Sequence, residues 1–165
     1  MLAVLDHPTR RDSSDHAEDT DARRPLDIVP FEPWHLEWLT DTTAQAWLGK
    51  DLTYGTMLRN AGPCYTAFAG DQVIACAGVL PIWEGRAQAW SLLSTALPQY
   101  VMGVHRGVKR FLDGYPIRRL ECTVDPRSAT AIRWAERLGF VREGTMPGYT
   151  PQGDTMDLYA RVRWL

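Results

Sequence analysis

From Leu26 onward the apolar positions switch between a period of two and a period near three and a half, and the switches divide the chain into elements. "LDIVPF" reads as a short strand closed by Pro30. "EPWHLEWLTDTTAQAWLGK" carries Trp34, Leu36, Trp38, Leu39 and Trp47 at roughly helical spacing and predicts one or two short helices ending near Gly49; "TYGTMLRNA" predicts a further helical turn. "CYTAFA" and "QVIACAGVL" alternate on either side of Gly70-Asp71, a hairpin signal. "PIWEGR" is a second turn and "AQAWSLLS" a third strand of the same meander. "LPQYVMGVHRGVKRFLDG" predicts a helix with Pro98 in its first turn, Val101, Val104, Val108, Phe111 and Leu112 on its apolar face and Gly114 as its cap. "IRRLECTV" is a strand. "DPRSATAIRWAERLG" is a second helix, with Asp125 as N-cap, Pro126 at the first helical position, and Ala131, Trp134, Ala135 and Leu138 facing inward. "FVREGTM" and "MDLYARVRWL" are the last strands.

The order is β-α-α-β-β-β-α-β-α-β-β. The strand–helix–strand passage from "AQAWSLLS" to "IRRLECTV" requires a parallel pair, whereas the hairpins are antiparallel. The expected fold class is therefore α+β, a mixed and mostly antiparallel central sheet with helices on both faces. Residues 1–25 break the pattern: "HPTRRDSSDHAEDTDARRP" is too polar to pack a core and reads as an arm of its own, ordered by a partner if at all, ahead of a domain at 26–165.

Composition narrows the function classes. The chain has 165 residues, 45% hydrophobic and 23% charged, enough for one domain with a sizeable core. A net charge of −2 gives no pull toward nucleic acid or an anionic membrane. No apolar run approaches the roughly 20 residues that span a bilayer, and the first residues carry no signal-peptide pattern. Cys64, Cys76 and Cys122 have no CxxC spacing and read as buried free thiols in a reducing cytosol. His7, His16, His35 and His105 lack ligand spacing, so no metal site is expected, and no nucleophile elbow is present. Trp34, Trp38 and Trp47 read first as core aromatics and second as a pocket or interface.

This order of elements, with "ATAIRWAERLGFVREG" near its end, resembles the GNAT (Gcn5-related N-acetyltransferase) superfamily over about residues 26–163. Where such proteins often show Asn-x-x-Ala-x-x-x-Tyr-x-x-x-Gly-Phe, this chain has Ser128, Ala131, Ala135 and Gly139-Phe140. The meander "GPCYTAFAGDQVIACAGVLPIWEGRAQAWSLLS" is similar to GNAT-like proteins of tailed bacteriophages, some of which are virion components.

The resemblance implies acyl transfer from acetyl-CoA to an amine, with the fourth strand, at Leu92 and Leu93, offering backbone groups to the pantetheine arm. It also implies a loop of the form Gln/Arg-x-x-Gly-x-Gly/Ala that offers N–H groups to the pyrophosphate at a helix N-terminus. Here that loop is "TALPQYVMGVHRG". Anchored on Gln99, Met102 and Val104 replace the small residues; anchored on Gly103, Tyr100 and His105 break the pattern, and Pro98 removes a donor in either register. Gly103 and Ser128 remain the candidate cofactor contacts beside Leu92 and Leu93. Arg106, Lys109 and Arg110 read as solvated charges. Ala135 replaces the usual Tyr acid, which leaves Ser94 as a substitute proton donor and Glu84 as a candidate base; Tyr159 reads as a strand residue. Two readings follow: an N-acyltransferase in the cytoplasm of a host bacterium, or a non-catalytic virion protein on the same scaffold whose neighbours order residues 1–25.

Overall fold

The computed structural model describes residues 25–39 and 51–163. The expected arm, apart from its last residue, and Trp47 lie outside them. Among the described residues the chain forms one seven-stranded sheet in the order β1-β2-β3-β4-β5-β7-β6. The strands are β1 (Asp27–Pro30), β2 (Cys64–Ala69), β3 (Gln72–Trp83), β4 (Arg86–Leu93), β5 (Arg119–Val124), β6 (Val141–Met146) and β7 (Met156–Val162). The helices are α1 (Leu52–Ala61), α2 (Leu97–Gly114) and α3 (Ala129–Arg137), with a 3-10 turn at Pro33–Leu36. Every neighbouring pair is antiparallel except β4 with β5. This is the expected mixed, mostly antiparallel sheet.

Helices cover both faces. Phe31, Leu36, Leu39 and Leu58, from the 3-10 turn, its flanks and α1, pack on Cys76 and Leu92. On the other face α2 and α3 pack on Val79, Ala87, Leu120 and Val124 through Leu112, Ala135 and Leu138, while Tyr100 and Val104 of α2 cover Ile74 and Ala75. A β-bulge permits that last contact. The register steps from Ala67↔Ala75 to Phe68↔Val73, which leaves Ile74 as the extra residue and puts it with Ala75 on the α2 side.

Several local expectations shift. β3 runs on through Pro81, Ile82 and Trp83, so the turn is only Glu84-Gly85, with Gly85 at φ 81°. α2 is not capped by Gly114, which is still helical; the Tyr115 N–H closes it on the Phe111 carbonyl. α3 starts later than expected. Its N-cap is Ser128, whose hydroxyl accepts the Ala131 N–H at 3.2 Å, while Asp125 accepts the Arg127 N–H in the preceding turn. Trp34 and Trp38 are surface residues, 40% and 53% exposed, stacked edge-on at 4.6 Å, so the core-first reading of these two fails. The interior beside them is filled by Phe31, His35, Leu36 and Leu39 instead. No helix among the described residues is long and apolar enough to cross a membrane.

Candidate functional site: a cleft between two parallel strands

β4 and β5 are joined by pairing at three positions only, Arg86↔Arg119, Ala87↔Leu120 and Gln88↔Glu121. Each then keeps its outer neighbour. β4 stays paired with β3 as far as Leu93↔Ala75, and β5 with β7 as far as Val124↔Asp157. The sheet is thus split beyond Gln88 and Glu121. Residues 89–93 and 122–124 face each other across a cleft with backbone groups that no strand completes, and an unpaired strand edge is a ready partner for another chain of amides. Leu92 and Leu93 both lie on this stretch.

The closed end of the cleft is held by charge. Glu121 is 5% exposed and accepts two hydrogen bonds from Arg86, at 2.8 and 2.7 Å, and a third from Arg119, which also pairs with Glu143. Arg86, then Arg119, hold the Glu121 carboxyl below the usual carboxylate range. Arg86 also sits 4.3 Å from the centre of the exposed Trp83 ring. Trp83, Arg86, Arg119 and Glu121, with Gly85 and Arg118, line a shallow hollow of about 420 Å³ at the N-terminal ends of the two strands.

The open end is where a phosphate loop was expected, and three of its N–H donors are already used. The Ala96 N–H donates to Ser94 Oγ at 3.2 Å, the Leu97 N–H to the Ser94 carbonyl at 3.0 Å, and the Gln99 N–H to the Ala96 carbonyl at 3.2 Å; Pro98 has none. Tyr100 is buried in the core and Met102 points out, 63% exposed. Gly103 lies in the second turn of α2, where a Cβ would stand 2.7 Å from Leu26 Cδ1. Its smallness admits an apolar side chain. Arg106, Lys109 and Arg110 are exposed, and Lys109 pairs with Asp113.

Of the residues singled out from the sequence, Ser94 and Ser128 flank the open end. Ser94 is buried at the end of β4. Glu84 is exposed in the β3–β4 turn, at the other end of the same strand, roughly 30 Å from Ser94 at about 3.3 Å per residue. The two are not brought together. Tyr159 is buried on β7 and Ala135 is buried on the inner face of α3. All three cysteines are free; burial pushes the Cys76 and Cys122 thiols up to about 12. No cluster of metal-ligating side chains occurs among the described residues.

Trp134 faces inward as the helical spacing predicts, whereas Trp90 went unremarked in the sequence. Trp90, on the unpaired half of β4, packs on Phe31 on one face of the sheet. Trp134, on α3, packs on the other face against both the Leu120–Val124 cluster and the Tyr100–Val104 cluster. Their Nε1 atoms are the buried side-chain polar atoms among the described residues that have no hydrogen-bond partner.

The fold is that of the GNAT acetyltransferases. The structure is similar to Ard1 from Thermoplasma volcanium, with a TM-score of 0.70 and 15% identity over 85% of this chain and 99% of that one. It is also similar to a GNAT-family acetyltransferase from Bacillus anthracis, TM-score 0.62 and 16% identity over 85% and 95%. A third similar structure is a mutant of the spermidine N-acetyltransferase SpeG from Vibrio cholerae, TM-score 0.62 and 12% identity over 85% and 95%. No protein-family model matches the sequence, and no curated protein matches it.

Proposed function

We propose that this chain transfers an acyl group from a thioester to an amine, holding the donor in the cleft between β4 and β5. The observation that carries this reading is the end of β4–β5 pairing at Gln88↔Glu121 while both outer ladders continue. A cleft edged by free backbone groups receives an extended amide-bearing arm as a strand would be received. The β4 edge at Leu92 and Leu93 supplies backbone contacts to that arm, and Ser128 flanks it. A β4 backbone N–H aimed at the thioester oxygen stabilises the charge that gathers there as the amine attacks. The C–N bond forms and the C–S bond breaks; the amine loses a proton and the leaving thiolate gains one, with Ser94 as the donor proposed for the thiolate. Ala135 supplies no acid, so the rate rests on positioning. Glu84, at the far end of β4, has no part in it.

The non-catalytic virion reading rests on the departures at Pro98–Val104 and Ala135, and the similar structures lend it no support. The transfer reading is tested by incubating the full chain with an acetyl thioester and a panel of amines and following thiol release. Amine-dependent release above the protein-free rate is expected. No release with any amine, together with no thioester binding at millimolar concentration, would sink it.

A further inference from the structure

The hollow at the closed end of the seam is lined by three arginines that differ in what they hold. Arg119 gives its Nε to Glu121 and both Nη atoms to Glu143. Arg86 gives Nε and Nη2 to Glu121. Arg118 is exposed, and its guanidinium has no hydrogen-bond or ion-pair partner among the described residues. It lies across Gly85, where a Cβ would stand 3.4 to 3.6 Å from its Nη2, Cζ and Nε. Gly85 sits at φ 81°, so bare backbone lies beneath the guanidinium and a side chain there would be strained. The hollow also has an aromatic wall. Trp83 is 58% exposed, and the Arg86 guanidinium that Glu121 fixes stands 4.3 Å from its ring centre. The ring is an anchored apolar surface that remains open to solvent.

Charge and donor geometry choose the ligand. Three guanidinium groups face two carboxylates, Glu121 and Glu143, so one positive charge is unbalanced. Glu84, exposed in the adjoining turn, makes no bond to any of them. Within the hollow the complete fork is that of Arg118, and one fork matches one carboxylate held by two parallel hydrogen bonds. A phosphate dianion would bring more charge than the hollow leaves unbalanced. We propose that this hollow binds a monoanionic aromatic carboxylate, with the carboxylate on Arg118 and the ring against Trp83. The site lies at the opposite end of β4 from Leu92 and Leu93. It is therefore separate from the thioester cleft and does not rest on the transfer reading.

The test uses the full chain with ¹⁵N-labelled tryptophan, titrated with benzoate, benzamide, acetate and inorganic phosphate. The Trp83 indole signal, identified by its loss in Trp83→Leu, is expected to shift saturably with benzoate, at a Kd of about 10 mM or tighter for a ligand of this size. Benzamide keeps the ring without the charge, and acetate keeps the charge without the ring. Each should bind at least about fivefold more weakly than benzoate. Read from the ligand's own signals, Arg118→Gln should weaken benzoate about tenfold and Trp83→Leu about fivefold. Three outcomes would overturn the inference: no saturable Trp83 shift with benzoate, an unchanged benzoate affinity in Arg118→Gln, or phosphate binding as tightly as benzoate. Should Trp83→Leu fail to fold, Arg118→Gln and the benzamide comparison still decide, because Arg118 is an exposed position with no partner to lose. Failure of every thioester to bind would sink the transfer reading and leave this result unaffected.

Discussion

His35 is a histidine whose setting has no room for a second proton. Its Nδ1 accepts the Glu32 N–H at 3.0 Å and lies 2.8 Å from the Thr66 hydroxyl, while its ring is edged by Trp34 and Phe68 at 4.1 and 5.1 Å. Burial lowers its pKa below the ordinary 6.5, against a weaker opposing pull from Glu32. The sign follows: below pH 6.5 the unfolded chain takes a proton that the folded chain refuses. The stabilisation is complete above that pH and is lost as pH falls toward the folded value. Thermal unfolding at about pH 7.5 and about pH 5.5 should show a lower midpoint at the acid value. His35→Asn, whose side-chain oxygen can take over the Glu32 N–H, should lose part of that difference. Gly78 makes a second, purely steric prediction. Paired with both Cys64 and Trp90, it leaves a Cβ only 2.5 Å from Cys64 Cβ and 2.8 Å from the Pro63 carbonyl. Gly78→Ala should cost about 2 kcal/mol by overpacking, read as a lower denaturant midpoint at unchanged slope.

At the scale of elements, the three-residue seam between β4 and β5 depends on Glu121, which ties Arg86 of one strand to Arg119 of the other. Glu121→Gln keeps the shape and removes the charge, leaving two guanidinium groups with weaker acceptors; about 2 kcal/mol of stability should go with it. Because the folded Glu121 titrates below its ordinary 4.5, its contribution is present above that pH and is lost as pH falls through the folded value. The unaltered protein should therefore show a loss of stability in acid, separate from that of His35, which the variant lacks. The elements themselves were legible where periodicity and breakers agreed. α2 is bounded as Pro98 and its apolar spacing predict, and the Gly70-Asp71 turn falls where expected, with Gly70 at φ 59°. What failed were faces and caps. Tyr100 is buried where Val101 was expected, and Val101 is 38% exposed, because the Ile74 bulge brings an extra residue under the first turns of α2. Ser128 displaced Asp125 as cap because the backbone at Pro126 and Arg127 turns before it coils. The site was half legible: the departure of the loop from its pattern was readable, but the orphan nitrogens of Trp90 and Trp134 depend on contacts between α3, α2 and β4 that sequence spacing does not encode.

At the scale of the whole molecule, the sheet is two antiparallel blocks, β1-β2-β3-β4 and β5-β7-β6, sharing one short parallel seam. Each block has its own ladder to the end of its inner strand, so the blocks are internally firm and weakly joined where the cleft opens. α3 covers the join, since the cluster that its Ala135 and Leu138 complete takes Val79 and Ala87 from one block and Leu120, Val124 and Tyr159 from the other. Backbone amides of residues 89–93 and 122–124 that point into the cleft have no ladder partner, whereas their alternates are held by β3 and β7. Exchange of a buried but unpaired amide needs only a local opening, while exchange of a ladder amide needs the block to come apart. Native-state hydrogen exchange should therefore show an alternation along β4 and along β5, the cleft-facing amides exchanging at least about tenfold faster than their neighbours, with no such alternation along β2. A thioester that fills the cleft as a strand should slow the fast set and leave the ladder set unchanged. Uniform slowing across both blocks would instead mean that the ligand stabilises the fold from elsewhere, and uniform protection without ligand would mean that the two blocks are already closed on each other.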